Sequence, residues 1–287
     1  STVKPEEAIE ELGIDFVVVG EGEKIIPALL MELSKEEKER KLSGVKGIVF
    51  KDINGKILRT EKEEPIEYLD SLPFPARHLI NMEEYLIPPG YIRSLFLNRV
   101  ATLYTSRGCP GLCTFCASSL MFPRKARLRS VKNIMEEIDF LIKEYNIDGI
   151  YFSDETFTVD KKRVYELAAE LKKLGLPWGF QTRIDMVDKN LLQHVANSGC
   201  KQIDYGVESG SDRILKVIKK NTNREKIINT FKATKEAGIR TFATVMVGNP
   251  TETIHDLNMT LDLLRIIKPN FTLTMFLTPL PGTYDYN

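Results

Sequence analysis

The chain has 287 residues, 43% hydrophobic and 28% charged, with 40 Lys and Arg against 40 Asp and Glu. That length supports one large domain, or one plus part of a second, with a sizeable core. The zero balance makes nucleic acid an unfavoured partner, and no apolar run approaches the ~18 residues of a membrane span.

Residues 1–64 are irregular. The run Ile14–Val19 ends at Gly20, as a buried strand does. Gly20-Glu21-Gly22-Glu23 leads into a helical stretch through Leu33, and Ser34 with Glu37 has the spacing of a capping box for the charged segment that follows. Gly47–Lys51 and Lys56–Arg59 flank Asn54-Gly55, a β-hairpin signal. Residues 65–98 carry Pro65, Pro73, Pro75, Pro88 and Pro89 and read as a linker with a helical turn.

From residue 99 the chain is regular. Strands are predicted at Val100–Thr105, Gly149–Ser153, Trp178–Thr182, Gln202–Val207, Thr241–Val247 and Thr272–Thr278. Helical stripes run through Val131, Ile134, Met135, Ile138, Leu141, Ile142 and Tyr145, and through Val164, Leu167, Ala168, Leu171 and Leu174, the second closed by Gly175. Thr222 with Glu225 reads as a capping box for a third helix. Six β–α steps imply a parallel sheet with right-handed crossovers. They are too few for a closed eightfold barrel, so a partial, open (β/α)6 barrel is expected over 99–287. In such folds chemistry gathers at the C-terminal ends of the strands. Here those ends carry Thr105-Ser106-Arg107-Gly108, Ser153-Asp154-Glu155, Arg183, Glu208-Ser209, Gly248-Asn249-Pro250 and Pro279–Gly282.

Three of the four cysteines, Cys109, Cys113 and Cys116, lie within eight residues, and no export signal opens the chain. A cytoplasmic protein with metal-binding or redox thiols is expected. Soft thiolates suit zinc, copper(I) or iron–sulfur centres. Structural zinc takes four ligands, and no histidine lies near the loop. An iron–sulfur cluster held by three cysteines keeps one iron open, which fits the loop best.

Cys-x-x-x-Cys-x-Phe115-Cys at the end of a first strand resembles the radical SAM superfamily. Thr105–Cys116 (TSRGCPGLCTFC) resembles the branch that carries an N-terminal cobalamin-binding domain. The resemblance covers about 99–283, and more loosely 1–98. It implies a [4Fe–4S] cluster on Cys109, Cys113 and Cys116, with Phe115 beside it. Its open iron would take the amino and carboxylate groups of S-adenosylmethionine, and reductive cleavage of the C5′–S bond would yield a 5′-deoxyadenosyl radical. It further implies Asp154 and Glu155 for the methionine ammonium, Arg183 for its carboxylate, Glu208 and Ser209 for the ribose, and Val247 and Gly248 near the adenine.

Each of these has a plainer reading: a helix cap for Asp154 and Glu155, a salt bridge of Arg183 with Asp185 or Glu208, a rim network for Glu208 and Ser209, and a turn at Gly248. Asp15–Glu23, with the hairpin that follows, resembles the end of a Rossmann-like cobalamin-binding domain, so 1–64 is expected to be the remnant of one, and no corrinoid contact is assigned to Glu21 or Glu23. Further segments are expected beyond both ends.

The expected function is hydrogen abstraction leading to cobalamin-dependent methyl transfer to unactivated carbon. Radical cyclisation and methylthiolation are the alternatives on the same core, and a metal-stabilised binding or electron-transfer module is the alternative of another class. The implied partners are a flavodoxin- or ferredoxin-type electron donor and a small-molecule or lipid-like substrate. Arg124-Lys125-x-Arg127-x-Arg129 reads as a solvated basic loop, and Cys200 as a packed small hydrophobe.

Overall fold

A computed structural model describes residues 3–86 and 99–286. The first part pairs α1 (Pro5–Leu12) and α2 (Gly22–Leu33) with a three-stranded antiparallel sheet of β1 (Phe16–Val18), β2 (Ile48–Lys51) and β3 (Ile57–Arg59). The hairpin between β2 and β3 turns at Gly55, whose φ of +78° suits glycine. Ile25 and Leu29 of α2 pack on Val45, Ile48 and Phe50, while Ala8 and Ile9 of α1 pack on Val17 and Val49. Ser34 does not open a helix. Its amide donates to Leu30 O at 3.0 Å and its hydroxyl to Met31 O at 2.8 Å, so it closes α2. The charged run after it has no apolar stripe to bury, and it forms only short 3-10 turns.

The proline-rich segment is strapped down rather than free. Ile66 and Leu69 are buried, and Met82 and Leu86 of α3 (Met82–Leu86) join the main core. Asp70 accepts the Ser130 amide at 2.9 Å, and Arg77 Nη2 lies 2.5 Å from Glu137 Oε1. Pro88 and Pro89, with the rest of 87–98, lie outside the described residues.

The regular part begins with β4 (Val100–Leu103). A short antiparallel pair follows, β5 (Ser106–Arg107) with β6 (Arg127–Leu128), enclosing α4 (Ser118–Met121). Then come α5 (Val131–Tyr145), β7 (Gly149–Phe152), α6 (Lys161–Leu174), β8 (Trp178–Thr182), α7 (Lys189–Asn197), β9 (Cys200–Glu208), α8 (Asp212–Val217), α9 (Arg224–Glu236), β10 (Arg240–Val247), α10 (Ile254–Ile267) and β11 (Phe271–Phe276). Six strands form one parallel sheet in the order β4-β7-β8-β9-β10-β11, with β4 and β11 as its edges. This is the open six-strand arrangement expected.

Helix boundaries follow cap chemistry. Ser130, Asp160, Asp188 and Asn223 each accept the backbone amide three residues on. The cap of α9 is therefore Asn223, not Thr222. The full capping box lies instead at Thr253 with Asp256. Left-handed Asn146 and Gly175 close α5 and α6. Between the sheet and α6 and α7, Phe152, Phe157, Trp178 and Phe180 stack with centroids 4.7–6.0 Å apart. Trp178 Nε1 donates to Ser198 O at 3.0 Å. Burying each such ring contributes roughly 1.5–3 kcal/mol, so β7 and β8 form a stiff base for the loops above them.

Candidate active site

The cysteine loop springs from β5 at Gly108, whose φ is +90°. A Cβ there would lie 2.7 Å from the carbonyl oxygens of both Pro123 and Lys125, so only glycine lets the loop start this close to the returning chain. Cys113 is buried, and Cys109 and Cys116 are half-buried. The loop is pinned on several sides. The Thr114 amide donates to Ile218 O at 3.1 Å, the Tyr284 amide donates to Thr114 O at 3.1 Å, and Thr114 Oγ1 donates to Asp285 Oδ2 at 2.9 Å. Arg124 donates to Gly111 O.

Cys109 Sγ lies 3.3 Å from Thr156 Oγ1 and accepts the Gly111 amide at 3.3 Å. Arg183 Nη1 donates toward Cys113 Sγ at 3.6 Å. Burial pushes the Cys116 thiol up, and the neighbouring thiols add to it. Among the described residues no three His, Cys, Asp or Glu side chains surround a single-ion position. The donor set is three soft thiols with a guanidinium at hand to offset their negative charge. That chemistry fits a polynuclear iron–sulfur centre. Phe115 is partly buried and packs against the core beneath the loop.

At the end of β7 the adjacent carboxylates divide. Asp154 is fully buried. It accepts the Thr105 amide at 2.6 Å and the hydroxyls of Thr105 and Ser106 at 2.5 and 2.6 Å, with Arg163 Nη2 at 3.6 Å. Its oxygens tie the ends of β4 and β7 together. Glu155 is half-buried, and its Oε2 is shielded from solvent with no hydrogen-bond partner. Burial, aided by the charge on Asp154, pushes the Glu155 carboxyl up. Neither residue caps α6, because Asp160 does.

Beyond β8, Arg183 makes a two-pronged pair with Asp185, both contacts at 2.9 Å. Burial opposes the charges and the pairing outweighs it, so Arg183 is shifted up and Asp185 down. Glu208, at the end of β9, is buried and pairs with Lys220 Nζ at 2.6 Å. Ser209 faces inward, with Thr260 Oγ1 at 3.3 Å, and accepts the Ser211 amide at 3.2 Å. Val247 ends β10 beside Phe276 of β11. Gly248 has φ +84°, and nothing lies within 4 Å of where its Cβ would be. Its amide donates to Glu252 Oε2 at 2.6 Å.

The strand ends therefore bring Glu155, Arg183 and Glu208 to the rim that carries the cysteine loop, and they place Asp154 and Ser209 behind it. Lys220, Thr156 and Gln181 escaped the sequence reading. Gln181 Nε2 donates to the carbonyls of Ser153 and Asp154 at 3.2 and 2.9 Å. Its place on β8 was a legible signal; Lys220 had none.

Glu21 and Glu23 are tied down by ion pairs. Glu21 takes Arg127 at 2.7 and 2.9 Å, Arg107 at 2.8 Å and the Ile66 amide at 2.7 Å, and Glu23 takes Arg107. One further expectation is corrected: the basic run is not a solvated loop. Arg127 is 3% exposed, Arg129 pairs with Glu137 at 2.5 Å, and only Arg124 and Lys125 face solvent. These ion pairs join residues 21–23 to the strand that launches the cysteine loop.

Comparison with known proteins agrees with this geometry. The radical SAM superfamily profile matches residues 103–264, more than half of the chain. An uncharacterized methyltransferase of Pyrococcus horikoshii is 34% identical over 98% of this chain and 60% of its own length. Cytidylyl-2-hydroxyethylphosphonate methyltransferase of Streptomyces wedmorensis is 32% identical over 86% of this chain and 50% of its own. The chain thus spans about half the length of the curated relatives it matches. Among solved structures, OxsB, a cobalamin-dependent S-adenosylmethionine radical enzyme with aqua-cobalamin and S-adenosylmethionine bound, superposes with a TM-score of 0.74 at 26% identity, covering 92% of this chain and 37% of that one. No helix among the described residues is long and apolar enough to cross a membrane. A cysteine loop at the first strand end of an open six-strand parallel sheet, matched by the superfamily profile across that sheet, leaves one conclusion: the chain belongs to the radical SAM superfamily.

Proposed function

We propose that this chain is the core of a cobalamin-dependent radical methyltransferase acting on unactivated carbon. Cys109, Cys113 and Cys116 would hold a [4Fe–4S] cluster through its three protein-bound irons. When bound, that cluster supplies the electron that cleaves the C5′–S bond of S-adenosylmethionine to methionine and a 5′-deoxyadenosyl radical. Glu155 binds the methionine ammonium. The single observation that carries this is its shielded, partnerless Oε2, one residue from the Thr156 hydroxyl that touches Cys109. An ammonium there completes a charge-assisted pair.

Asp154 holds the strand ends that aim Glu155. Arg183 offsets thiolate charge at Cys113 and orients the carboxylate end of the methionine. Glu208 meets the ribose hydroxyls, and Ser209 supports it from behind. The open space beside Gly248 leaves room for the adenine next to Val247, while Phe115 anchors the loop. We assign 1–64 to the trailing remnant of a cobalamin-binding Rossmann-like domain, of which only β1 and α2 keep the strand-to-helix order while β2 and β3 add an antiparallel hairpin, 65–98 to the connection and 99–287 to the radical core. Methyltransferases at 34% and 32% identity support methyl transfer as the first reading, and magnesium-protoporphyrin IX monomethyl ester cyclases at 31% identity keep radical cyclisation as the second. The electron comes from a flavodoxin- or ferredoxin-type donor, and the substrate is a small or lipid-like molecule.

The test is anaerobic reconstitution with iron and sulfide, then dithionite and S-adenosylmethionine, with 5′-deoxyadenosine as the readout. About four irons per chain and 5′-deoxyadenosine formation support the reading. One zinc per chain, or a full cluster that neither binds nor cleaves S-adenosylmethionine, refutes it. Methyl transfer is tested in the full-length protein, by following a deuterated methyl group from S-adenosylmethionine in the presence of methylcobalamin.

A further inference from the structure

The basic run leaves charge at the surface that the site itself does not use. Residues 99–135 include seven Lys and Arg and neither Asp nor Glu, in a chain whose totals are 40 and 40. The cysteine loop lies inside that stretch. Arg107, Arg127 and Arg129 are drawn inward by Glu21, Glu23 and Glu137. Arg124 and Lys125 stay exposed. Arg124 donates to Gly111 O in the cysteine loop, which leaves its charge standing. Lys125 reaches Glu67 at 3.2 Å, but both ends of that pair lie in solvent, so water takes most of its strength.

A third cation stands across the loop. Lys219 is exposed, and its ammonium lies 5.0 Å from the centroid of the Tyr284 ring. These pieces adjoin. The Tyr284 amide donates to Thr114 O, and Ile218 O, one residue before Lys219, accepts the Thr114 amide. Asp285, the neighbouring carboxylate, is half-buried and turned to Thr114 Oγ1.

The surface beside these cations is apolar. Leu112 is 59% exposed, Met121 53% and Tyr284 73%. Leu112 immediately precedes Cys113, and Met121 ends the helix that follows Cys116. A single exposed apolar side chain needs no explanation. Three around one loop, edged by cations, have the make-up of an interface with an apolar centre and a polar rim.

We propose that Leu112, Met121 and Tyr284, rimmed by Arg124, Lys125 and Lys219, form the docking surface for a small acidic protein that carries one electron, of the ferredoxin or flavodoxin class. This inference rests on the reading of the cysteine loop given above and names where its electron enters. The carrier loses one electron and the cluster gains it. No bond forms or breaks in that step, and no proton moves. Electron tunnelling falls off exponentially with distance, so a carrier seated on Leu112, one residue from a cluster ligand, is well placed to deliver. An acidic carrier complements the rim, which speeds encounter and fixes orientation. A small contact of this kind also lets the carrier leave once it is oxidised.

The test uses the reconstituted protein, with an acidic flavodoxin as the probe. Its Kd is measured at low and high salt for wild type, Lys125→Glu/Lys219→Glu and Leu112→Ser, with iron content recorded for each. The rate at which flavodoxin hydroquinone bleaches the cluster absorbance is followed alongside. At low salt the charge reversal should raise Kd about tenfold or more and slow cluster reduction in step. At about 1 M salt, where the Debye length is about 3 Å, that difference should vanish. Leu112→Ser should raise Kd about threefold or more at both salts, because apolar burial is not screened. Dithionite is a small anion that needs no docking surface. With it, the charge reversal should form 5′-deoxyadenosine as wild type does. Acetylation of Lys125 and Lys219, read by mass spectrometry, should be fast in the protein alone and slow once flavodoxin is added.

A Kd unchanged in both variants, or no binding of flavodoxin to wild type at low salt, overturns the proposal. So does an equal loss with dithionite, which makes the two lysines structural. Slow acetylation before flavodoxin is added also overturns it, because another part of the protein or a second copy then covers this face. A wild type that assembles no four-iron cluster, or whose reduced cluster does not cleave S-adenosylmethionine, refutes the underlying reading instead; the flavodoxin Kd is measured independently of it.

Discussion

Removing the charge on Glu21 should loosen the joint between the N-terminal segment and the cysteine-loop strand. Glu21 accepts hydrogen bonds from Arg127, Arg107 and the Ile66 amide, and its side chain is 6% exposed. Desolvation works against its charge, but the two guanidiniums outweigh it and hold the carboxyl at about 2 against the usual 4.5. Each tenfold change in proton affinity is worth ~1.4 kcal/mol, so the depression corresponds to roughly 3 kcal/mol. Arg107 is a quarter exposed. Solvent screening removes part of that figure, leaving about 2 kcal/mol.

A folded-state pKa below the unfolded one gives stability that is fully present above the unfolded value and is lost as pH falls through the folded one. The apoprotein should be unfolded with urea between pH 7 and 3, wild type beside Glu21→Gln. At pH 7 the variant should be less stable by about 2 kcal/mol, and the gap should narrow steadily below pH 4.5. The difference between the two proteins cancels the other carboxylates. A gap that stays constant to pH 3, or that is absent at pH 7, would refute the reasoning.

Three further outcomes are expected. Asp154→Asn leaves Arg163 without its nearby carboxylate and presents an amide donor to groups that are themselves donors. Its cost should be about 3–5 kcal/mol in urea unfolding, and less than 1 kcal/mol would contradict the buried network. Gly108→Ala should cost at least ~2 kcal/mol locally and leave less than half the wild-type iron after reconstitution, with helical circular dichroism intact; wild-type iron content would show that the loop tolerates the clash. Cys113→Ala should retain no cluster and yield no 5′-deoxyadenosine, and cleavage surviving in that variant would sink its assignment as a ligand.

The regular half of the fold was legible because its driving force is local. Apolar runs such as Gly149–Phe152 and the stripe from Val131 to Tyr145 are one-face or all-face burial written directly in the residue order, and the strand ends followed. Cap positions were less legible. Ser34 and Thr222 each stand beside a residue or a carbonyl that competes for the same hydrogen bond.

The basic run at 124–129 misled for another reason. Arg127 meets Glu21 across 106 positions of chain, and no local pattern announces that pairing. Asp154 and Glu155 look equivalent in sequence, although successive residues leaving a strand point to opposite sides. That rule predicts one buried and one available carboxylate, but not which. Lys220, inside Lys-Val-Ile-Lys-Lys-Asn, looks like an ordinary solvated helix tail. Only two left-handed neighbours, invisible without coordinates, turn it inward.

The hydrogen bonds of Thr114 to Tyr284 and Asp285 have a consequence for biogenesis. The second joins positions 171 residues apart. Contacts of such high sequence separation close late, because loop entropy must be overcome before they form. During vectorial synthesis the cysteines leave the ribosome long before residues 284–285 can clamp them. At tens of residues per few seconds, the thiols stay unclamped for about ten seconds or longer. The final lock on the loop therefore follows emergence of the sheet's last strand, and iron that arrives earlier meets a loop without it. Ribosome-arrested chains ending before and after residue 285 would read this directly, through the rate at which an alkylating probe reaches Cys113: a rate that does not fall in the longer chain would exclude the ordering.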